Sequence, residues 1–231
     1  MLTDIAINIK ETYKKINSAA EKANRNSREI KLIAVTKTVG TDVINEAINL
    51  GITDIGENRV QELLKKYDAI GDKVNWHMIG HLQKNKVKYI IDKVTLIHSV
   101  DSYSLAVEID KRAKQAGKIM DCLLQVNVSG EESKFGLEPC KIEELLNKLS
   151  LLKNIRILGL MTIAPFVAEA EEIRKVFKDL KKLSLDIAGK KIHNISMEYL
   201  SMGMSNDFEI AIDEGSNYVR IGSKIFGERN Y

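Results

Sequence analysis

Apolar positions in this chain switch repeatedly between a period near 3.6 and short continuous runs, and the switching predicts an order of elements. Residues 3–24 place Ile5, Ile9, Ile16 and Ala20 near one face, so an amphipathic helix opens the chain. Residues 31–37 read as a strand, and 42–50 as a helix with Val43, Ala47 and Leu50 on one side. Strands are then expected at 53–56, 75–79, 95–100 and 118–128, with helices at 59–67 and 84–91 between the earlier ones. Asp101 or Ser102 can cap the next helix, whose stripe is Leu105, Ile109 and Ala113. Pro139 falls where a first helical position accepts it, and Ile142, Leu145, Leu146 and Leu149 follow at helical spacing. After a strand at 155–161, the clearest helix covers 169–187, with Ile173, Val176, Phe177, Leu180, Leu183 and Ile187 in a stripe. Strands at 198–201 and 218–221 flank a short helix near 206–213.

This pattern amounts to about eight strand–helix units at a spacing of roughly 25 residues, the count a (β/α)8 TIM barrel needs. The expected fold is therefore α/β, a single barrel over residues 1–231 with an extra N-terminal helix. A doubly wound parallel sheet also fits the alternation. The barrel is preferred because the chemically distinctive residues fall just after strands, where barrel sites sit. Only two prolines occur in 231 residues, and no Pro/Gly-rich linker divides the chain.

Composition narrows the function classes. Hydrophobic residues are 44% and charged residues 29%, enough for a sizeable core. The formal net charge of +3 is too balanced to point to nucleic acid. Cys122 and Cys140 fit neither a zinc spacing nor a disulfide framework, which favours a reducing compartment. The segment from Met1 to Ile5 lacks the basic start of a signal peptide, and no apolar run is long enough to span a bilayer. A soluble cytoplasmic protein is expected.

Candidate chemistry gathers at strand ends. Lys37 closes the apolar run that begins at Ile30. Burial there disfavours the ammonium form, and a neutral amine can form a Schiff base with an aldehyde. The ordinary reading is a lysine that snorkels out of a strand end. Gly56 lets backbone approach a ligand, and Asn58 either touches that ligand or caps the next helix. His77 and His81 stand four apart, a metal-pair spacing on a helix, but this segment reads as strand then loop, so no metal is expected. His81 then reads as a polar lining or structural histidine. Lys84, Lys86 and Lys88 are either solvated or available to nucleic acid, and Asn127 and Lys134 either reach a ligand or belong to a polar loop. Ser201, Gly203, Met204 and Ser205 lie between a strand and a helix, where hydroxyls and free amides suit a phosphate, although Ser205 also reads as an N-cap. Arg220 stands between Val219 and Ile221 and needs an acceptor, either a carboxylate such as Glu198 or a pyridine nitrogen. Gly222 and Ser223 would offer amides to the phosphate. An aldehyde at Lys37 and a phosphate at the distal loops suggest pyridoxal phosphate.

The same residues resemble the pyridoxal phosphate homeostasis protein family, single-domain relatives of the alanine racemase N-terminal barrel. The likeness rests on Ile33-Ala34-Val35-Thr36-Lys37, Gly56-Glu57-Asn58, Trp76 through Lys86, His98-Ser99-Val100-Asp101, Asn127 with Lys134-Phe135-Gly136, Leu200 through Asp207, Arg220-Ile221-Gly222 and Ile225-Phe226-Gly227. These stretches run in order over most of the chain. The resemblance implies pyridoxal 5'-phosphate held as a Schiff base on Lys37, with Arg220 facing the pyridine nitrogen. Ser201, Gly203, Met204 and Ser205 would line the phosphate side with Gly222 and Ser223, and Asn58 and His81 would be wall positions. Arginine only donates, so the pyridine nitrogen should stay unprotonated and the ring a weak electron sink. Alanine racemases add a tyrosine base from a second domain of a partner subunit. This chain stops at Tyr231, so a monomer without appreciable catalysis is expected, acting as a carrier of pyridoxal phosphate with pyridoxal-phosphate-dependent apoenzymes as acceptors. A low-activity amino-acid racemase remains open, as does a barrel with a structural lysine and a nucleic-acid or protein partner on Lys84, Lys86 and Lys88.

Overall fold

Eight parallel strands close on themselves in sequence order, the last pairing with the first. The structure is a computed structural model and describes residues 4–131, 135–165 and 169–227. The strands are β1 (Lys31–Val35), β2 (Asp54–Glu57), β3 (Asn75–Met78), β4 (Leu96–Val100), β5 (Met120–Gln125), β6 (Ile155–Met161), β7 (Ile195–Met204) and β8 (Tyr218–Ile221). The helices are α1 (Asp4–Lys22), α2 (Thr41–Asn49), α3 (Val60–Ile70), α4 (Tyr103–Gln115), α5 (Ile142–Leu149), α6 (Ala170–Ala188), α7 (Phe208–Asp213) and α8 (Ser223–Phe226). This is the expected TIM barrel with its added N-terminal helix.

Helix α1 buries Ile9, Thr12, Ile16, Ala19 and Ala20 and packs against α7 and α8. Because α8 is a single turn, α1 supplies the outer layer that a longer eighth helix would form. Three hydrogen bonds from two side chains hold it there. Asn8 donates to the carbonyl of Ile225, and Arg25, just past the helix, donates to the carbonyls of Ile212 and Ser216.

The apolar interior has two parts. A large cluster lies between strands and helices, and a small one of Ile33, Leu96, Leu123, Leu158, Met161 and Tyr218 fills the inside of the barrel. Alternation along each strand makes this division, since successive side chains point to opposite faces.

Three expectations need correction. Residues 84–91 do not form an α-helix; Lys84–Tyr89 is a 3-10 segment, with only Val87 of its residues buried. Val87, Ile90 and Ile91 keep a helical spacing and are buried, but the backbone closes tighter turns there, Lys86 N–H to the Gln83 carbonyl and Ile90 N–H to that of Val87. The strand expected at 118–128 is shorter, Met120–Gln125. The strand expected at 198–201 is longer, Ile195–Met204, because its second half is held in register by neighbours on both sides. Ser102 is the cap of α4, accepting from Leu105 N–H at 3.3 Å. Among the described residues no helix is long and apolar enough to cross a membrane.

Candidate functional site

A cavity of about 430 Å³ opens at the C-terminal ends of the strands. Its volume falls within the roughly 300–1,000 Å³ of small-molecule sites. Lys37 reaches it from beyond β1, Asn58 from the end of β2, Ile79 from β3, and Ile163 and Pro165 from β6. Met204 through Asp207 and Arg220 with Gly222 and Ser223 complete the wall from β7 and β8. Seven of the ten expected positions therefore share one cavity: Lys37, Asn58, Met204, Ser205, Arg220, Gly222 and Ser223. Sequence reasoning did not single out Asn206, Ile79 or Pro165. No local signal marks them, because each enters through its own loop.

The backbone next to Lys37 is strained and braced. Thr38, a β-branched residue, sits at φ +63°, in the left-handed region. Its N–H donates to Glu62 Oε2 at 2.9 Å. Behind the loop, Lys66 Nζ donates to the carbonyl of Thr36 at 2.6 Å, to Glu57 Oε1 at 2.6 Å and to Glu62 Oε2 at 3.4 Å. The Thr36 hydroxyl also donates to Glu57 Oε1, at 2.5 Å. Glu57 is fully buried, and burial pushes its carboxyl above the usual range despite Lys66 and Thr36. This network fixes the residues on both sides of Lys37.

Arg220 is buried in β8. Its Nη1 donates to Ser201 Oγ at 2.6 Å and its Nη2 to the carbonyl of Thr162 at 2.8 Å. Those two bonds leave further guanidinium N–H donors available on a residue that lines the cavity. Burial pushes Arg220 down to about 10. Of the two acceptors considered for Arg220, the carboxylate of Glu198 is not used; Glu198 is exposed on β7, and Arg220 turns to a hydroxyl and a carbonyl inside the barrel.

Asn58 does not cap α3. Its N-cap is Arg59, without a side-chain bond, and the buried Asn58 Oδ1 has no hydrogen-bond partner. An unpaired buried acceptor on a cavity wall is costly unless something occupies the cavity. Gly80 secures this position, since a Cβ there would lie 2.3 Å from the carbonyl oxygen of Asn58.

Ser201, Gly203 and His81 do not line the cavity. Ser201 is fully buried in β7 beneath Arg220. Gly203 sits at φ +91°, and a Cβ would meet Ala211 Cβ at 2.5 Å, so this glycine serves the packing of β7 on α7. His81 is exposed; its Nδ1 lies 3.0 Å from Asp101 Oδ2, and its ring stacks on Phe135 at 4.1 Å. Ser205 is not the N-cap of α7, which is Asp207; its hydroxyl accepts from Gly222 N–H at 3.3 Å and ties the loops after β7 and β8 together. Asn127 accepts from Ser129 and Gly130 within its own loop, while Lys134 lies outside the described residues. Lys86 and Lys88 lie over the ring of Tyr89 on the surface. Among the described residues no cluster of three metal-ligating side chains occurs.

A closed parallel barrel whose cavity opens at the strands' C-terminal ends, with a lysine after its first strand and an arginine on its last, has the layout of a barrel-type ligand site. The sequence profile described as "Alanine racemase, N-terminal domain" matches residues 7–230. Solved structures of similar shape include an alanine racemase from Corynebacterium glutamicum, at TM-score 0.71 and 17% identity over 99% of this chain and 61% of that one, a likeness of fold alone. PipY of Synechococcus elongatus, solved with PLP bound, matches at TM-score 0.84 and 32% identity over 96% of this chain and 100% of that one. A pyridoxal phosphate homeostasis protein of Aquifex aeolicus is 46% identical over 96% of this chain and 97% of its own. One of Escherichia coli is 36% identical over 100% and 99%. The chain belongs to the family of pyridoxal phosphate homeostasis proteins.

Proposed function

We propose that this cavity binds pyridoxal 5'-phosphate on Lys37, and that the protein holds the cofactor for pyridoxal phosphate homeostasis without appreciable turnover. The observation that carries the reading is the convergence of Lys37 and Arg220, from the first and last strands, on one cavity whose wall also holds an orphaned acceptor at Asn58. The donor set suits the cofactor. The Lys37 amine would condense with the aldehyde, releasing one water. Available N–H donors on Arg220 suit an unprotonated ring nitrogen, and Asn58 Oδ1 suits a donor on the ligand. Asn206 and Ser223 stand ahead of the first in-helix bonds of α7 and α8, where backbone N–H groups suit a phosphate, and the loops after strands seven and eight are frequent phosphate sites in barrels. The names of the relatives and the PLP-bound neighbour support the same ligand.

Bound pyridoxal phosphate supplies an electron sink, which an arginine partner leaves weak. The chain's own residues add little to proton transfer. Among the described residues on the wall, the titratable ones are Lys37, Asp207 and Arg220, and Asp207 is committed to Met204 N–H. The reading places the protein in the cytoplasm as a monomer, handing the cofactor to dependent apoenzymes. Free Cys122 and Cys140 suit a reducing compartment.

The test is an absorption spectrum with added pyridoxal phosphate, followed by borohydride reduction and peptide mapping. An imine band with the adduct on Lys37 is expected. No band, an adduct elsewhere, or rapid racemisation of alanine by the pure protein would overturn the reading.

A further inference from the structure

Arg220 is one end of a continuous line of buried side chains that crosses the barrel interior. Ser201 Oγ, which accepts from Arg220, lies 2.9 Å from His98 Nδ1. His98 Nε2 lies 2.9 Å from His77 Nδ1, and His77 Nε2 lies 2.9 Å from Asp54 Oδ1. All five side chains are buried. Asp54 opens β2, so the line runs from the cavity to the opposite end of the barrel. There Asp54 also accepts from Thr53 and Asn75, and Lys31 Nζ stands 3.4 Å away.

The end groups dictate the direction of every link. A guanidinium only donates and a carboxylate only accepts. Burial acts to raise the Asp54 carboxyl, but bonds from His77 and Thr53 with the charge of Lys31 outweigh it and hold it below its usual range. Asp54 is thus an acceptor, so His77 carries its proton on Nε2. A neutral His77 then accepts at Nδ1, His98 donates from Nε2, and His98 Nδ1 accepts from the Ser201 hydroxyl. The Ser201 oxygen is left to accept from Arg220. Burial favours the neutral form of both rings, most of all His98, which also faces Arg220. The ring of Tyr218 packs against both, its centroid 6.0 Å from that of His77 and 5.6 Å from that of His98.

We propose that Asp54, His77, His98 and Ser201 are positioning residues: a one-directional chain of neutral donors, anchored on Asp54 at the far end of the barrel, that fixes the Arg220 guanidinium and aims it at the cavity. A carboxylate placed directly on Arg220 would take up the N–H groups that the ligand needs. The relay holds the guanidinium through a hydroxyl and leaves them available, while the charge that favours the cationic form of Arg220 is that of Asp207 on the cavity wall. This inference rests on the reading that the cavity takes pyridoxal phosphate.

Two measurements test it. Nitrogen NMR of the histidine rings in the protein without added ligand should find His77 and His98 neutral at pH 7, each with its proton on Nε2. A charged ring, or a proton on Nδ1 of either, would overturn the direction. In pyridoxal-phosphate-loaded protein, His98→Phe should shift the imine band and weaken retention of the cofactor about tenfold, whereas His98→Gln, which keeps one acceptor and one donor, should restore both. If His98→Phe fails to fold, Ser201→Ala cuts the same line by one oxygen and should act alike. A folded, line-breaking variant with unchanged band and affinity would overturn the positioning role. Failure of the underlying reading looks different: the unsubstituted protein would then form no imine band, and the positioning role would fall with it.

Discussion

Lys66→Met isolates the brace behind Lys37. In the native protein Lys66 is nearly buried against a fully buried Glu57, with side-chain exposures of 9% and 0%. Methionine keeps the bulk and removes the charge. Glu57 then loses its cation and one of the two hydrogen bonds to Oε1, and Oε2 is already unpartnered. Removing one partner of a buried pair costs about 3–5 kcal/mol. For a chain of this length about 2–4 °C accompanies each kcal/mol, so Tm should fall by about 6–20 °C at pH 7. The pH dependence carries the distinguishing sign. Burial already raises the folded-state pKa of Glu57, and losing Lys66 raises it further. Below the unfolded value of about 4.3 both states are protonated and no penalty exists. Above it the folded state must keep a buried charge or a costly proton, so the penalty grows with pH. Glu62 acts in a lower pH window. Its carboxyl is held below the usual range against burial, first by Thr38 N–H and then by Lys66, so its share of the native advantage fades only below about pH 4.3, and the change between pH 7 and pH 5 belongs to Glu57. The gap between the two proteins should therefore narrow from pH 7 to pH 5. Adding Glu57→Gln should recover roughly 1–3 kcal/mol through coupling of the pair. Thermal melts of the native protein, both single variants and the double variant at the two pH values read all of this. A Lys66→Met protein melting within about 2 °C of native, or a gap that does not narrow at pH 5, would refute the account.

Gly203→Ala should lower the urea midpoint by the equivalent of about 2–5 kcal/mol, adding left-handed backbone strain at φ +91° to a Cβ–Cβ approach of 2.5 Å with Ala211; an unchanged midpoint would mean that α7 yields without cost. Asn58→Leu removes an unpaired buried acceptor, so the protein without ligand should be as stable as native or more stable by about 1 kcal/mol, while equilibrium dialysis should find pyridoxal phosphate held about tenfold more weakly. Unchanged affinity would separate Asn58 from the ligand. A thiol reagent should modify exposed Cys140 quickly in the native protein and Cys122 only after denaturation, because Cys122 is fully buried and burial pushes its thiol well above the usual range. Rapid reaction of both would place Cys122 within reach of solvent.

The barrel was legible because most of its units bury a one-sided helix on an apolar strand, as β1 with α2 and β6 with α6 do, and both periods survive in the letters. Lys37 and Arg220 stood out for a related reason: a long cation beside an apolar run has few places to go. Ser201 was harder to place. Its neighbours Gly203, Met204 and Ser205 suggest one loop with one purpose, but β7 continues to Met204. Inside a strand, alternation sends Ser201 into the barrel and Met202 into the outer core, and only Met204 and Ser205 come out at the cavity. The relay is hidden for a different reason. Asp54, His77, His98, Ser201 and Arg220 lie on five strands, and the His98–Ser201 link alone spans 103 residues. Each residue taken singly is a polar side chain in a strand, which a sequence reading assigns to solvent or to a local loop. Closure of β8 on β1 removes the solvent, and an isolated polar group in that interior would be destabilising. Five of them are tolerated together because a pure donor stands at one end and a pure acceptor at the other. That end-to-end matching belongs to the closed barrel and to no segment of it.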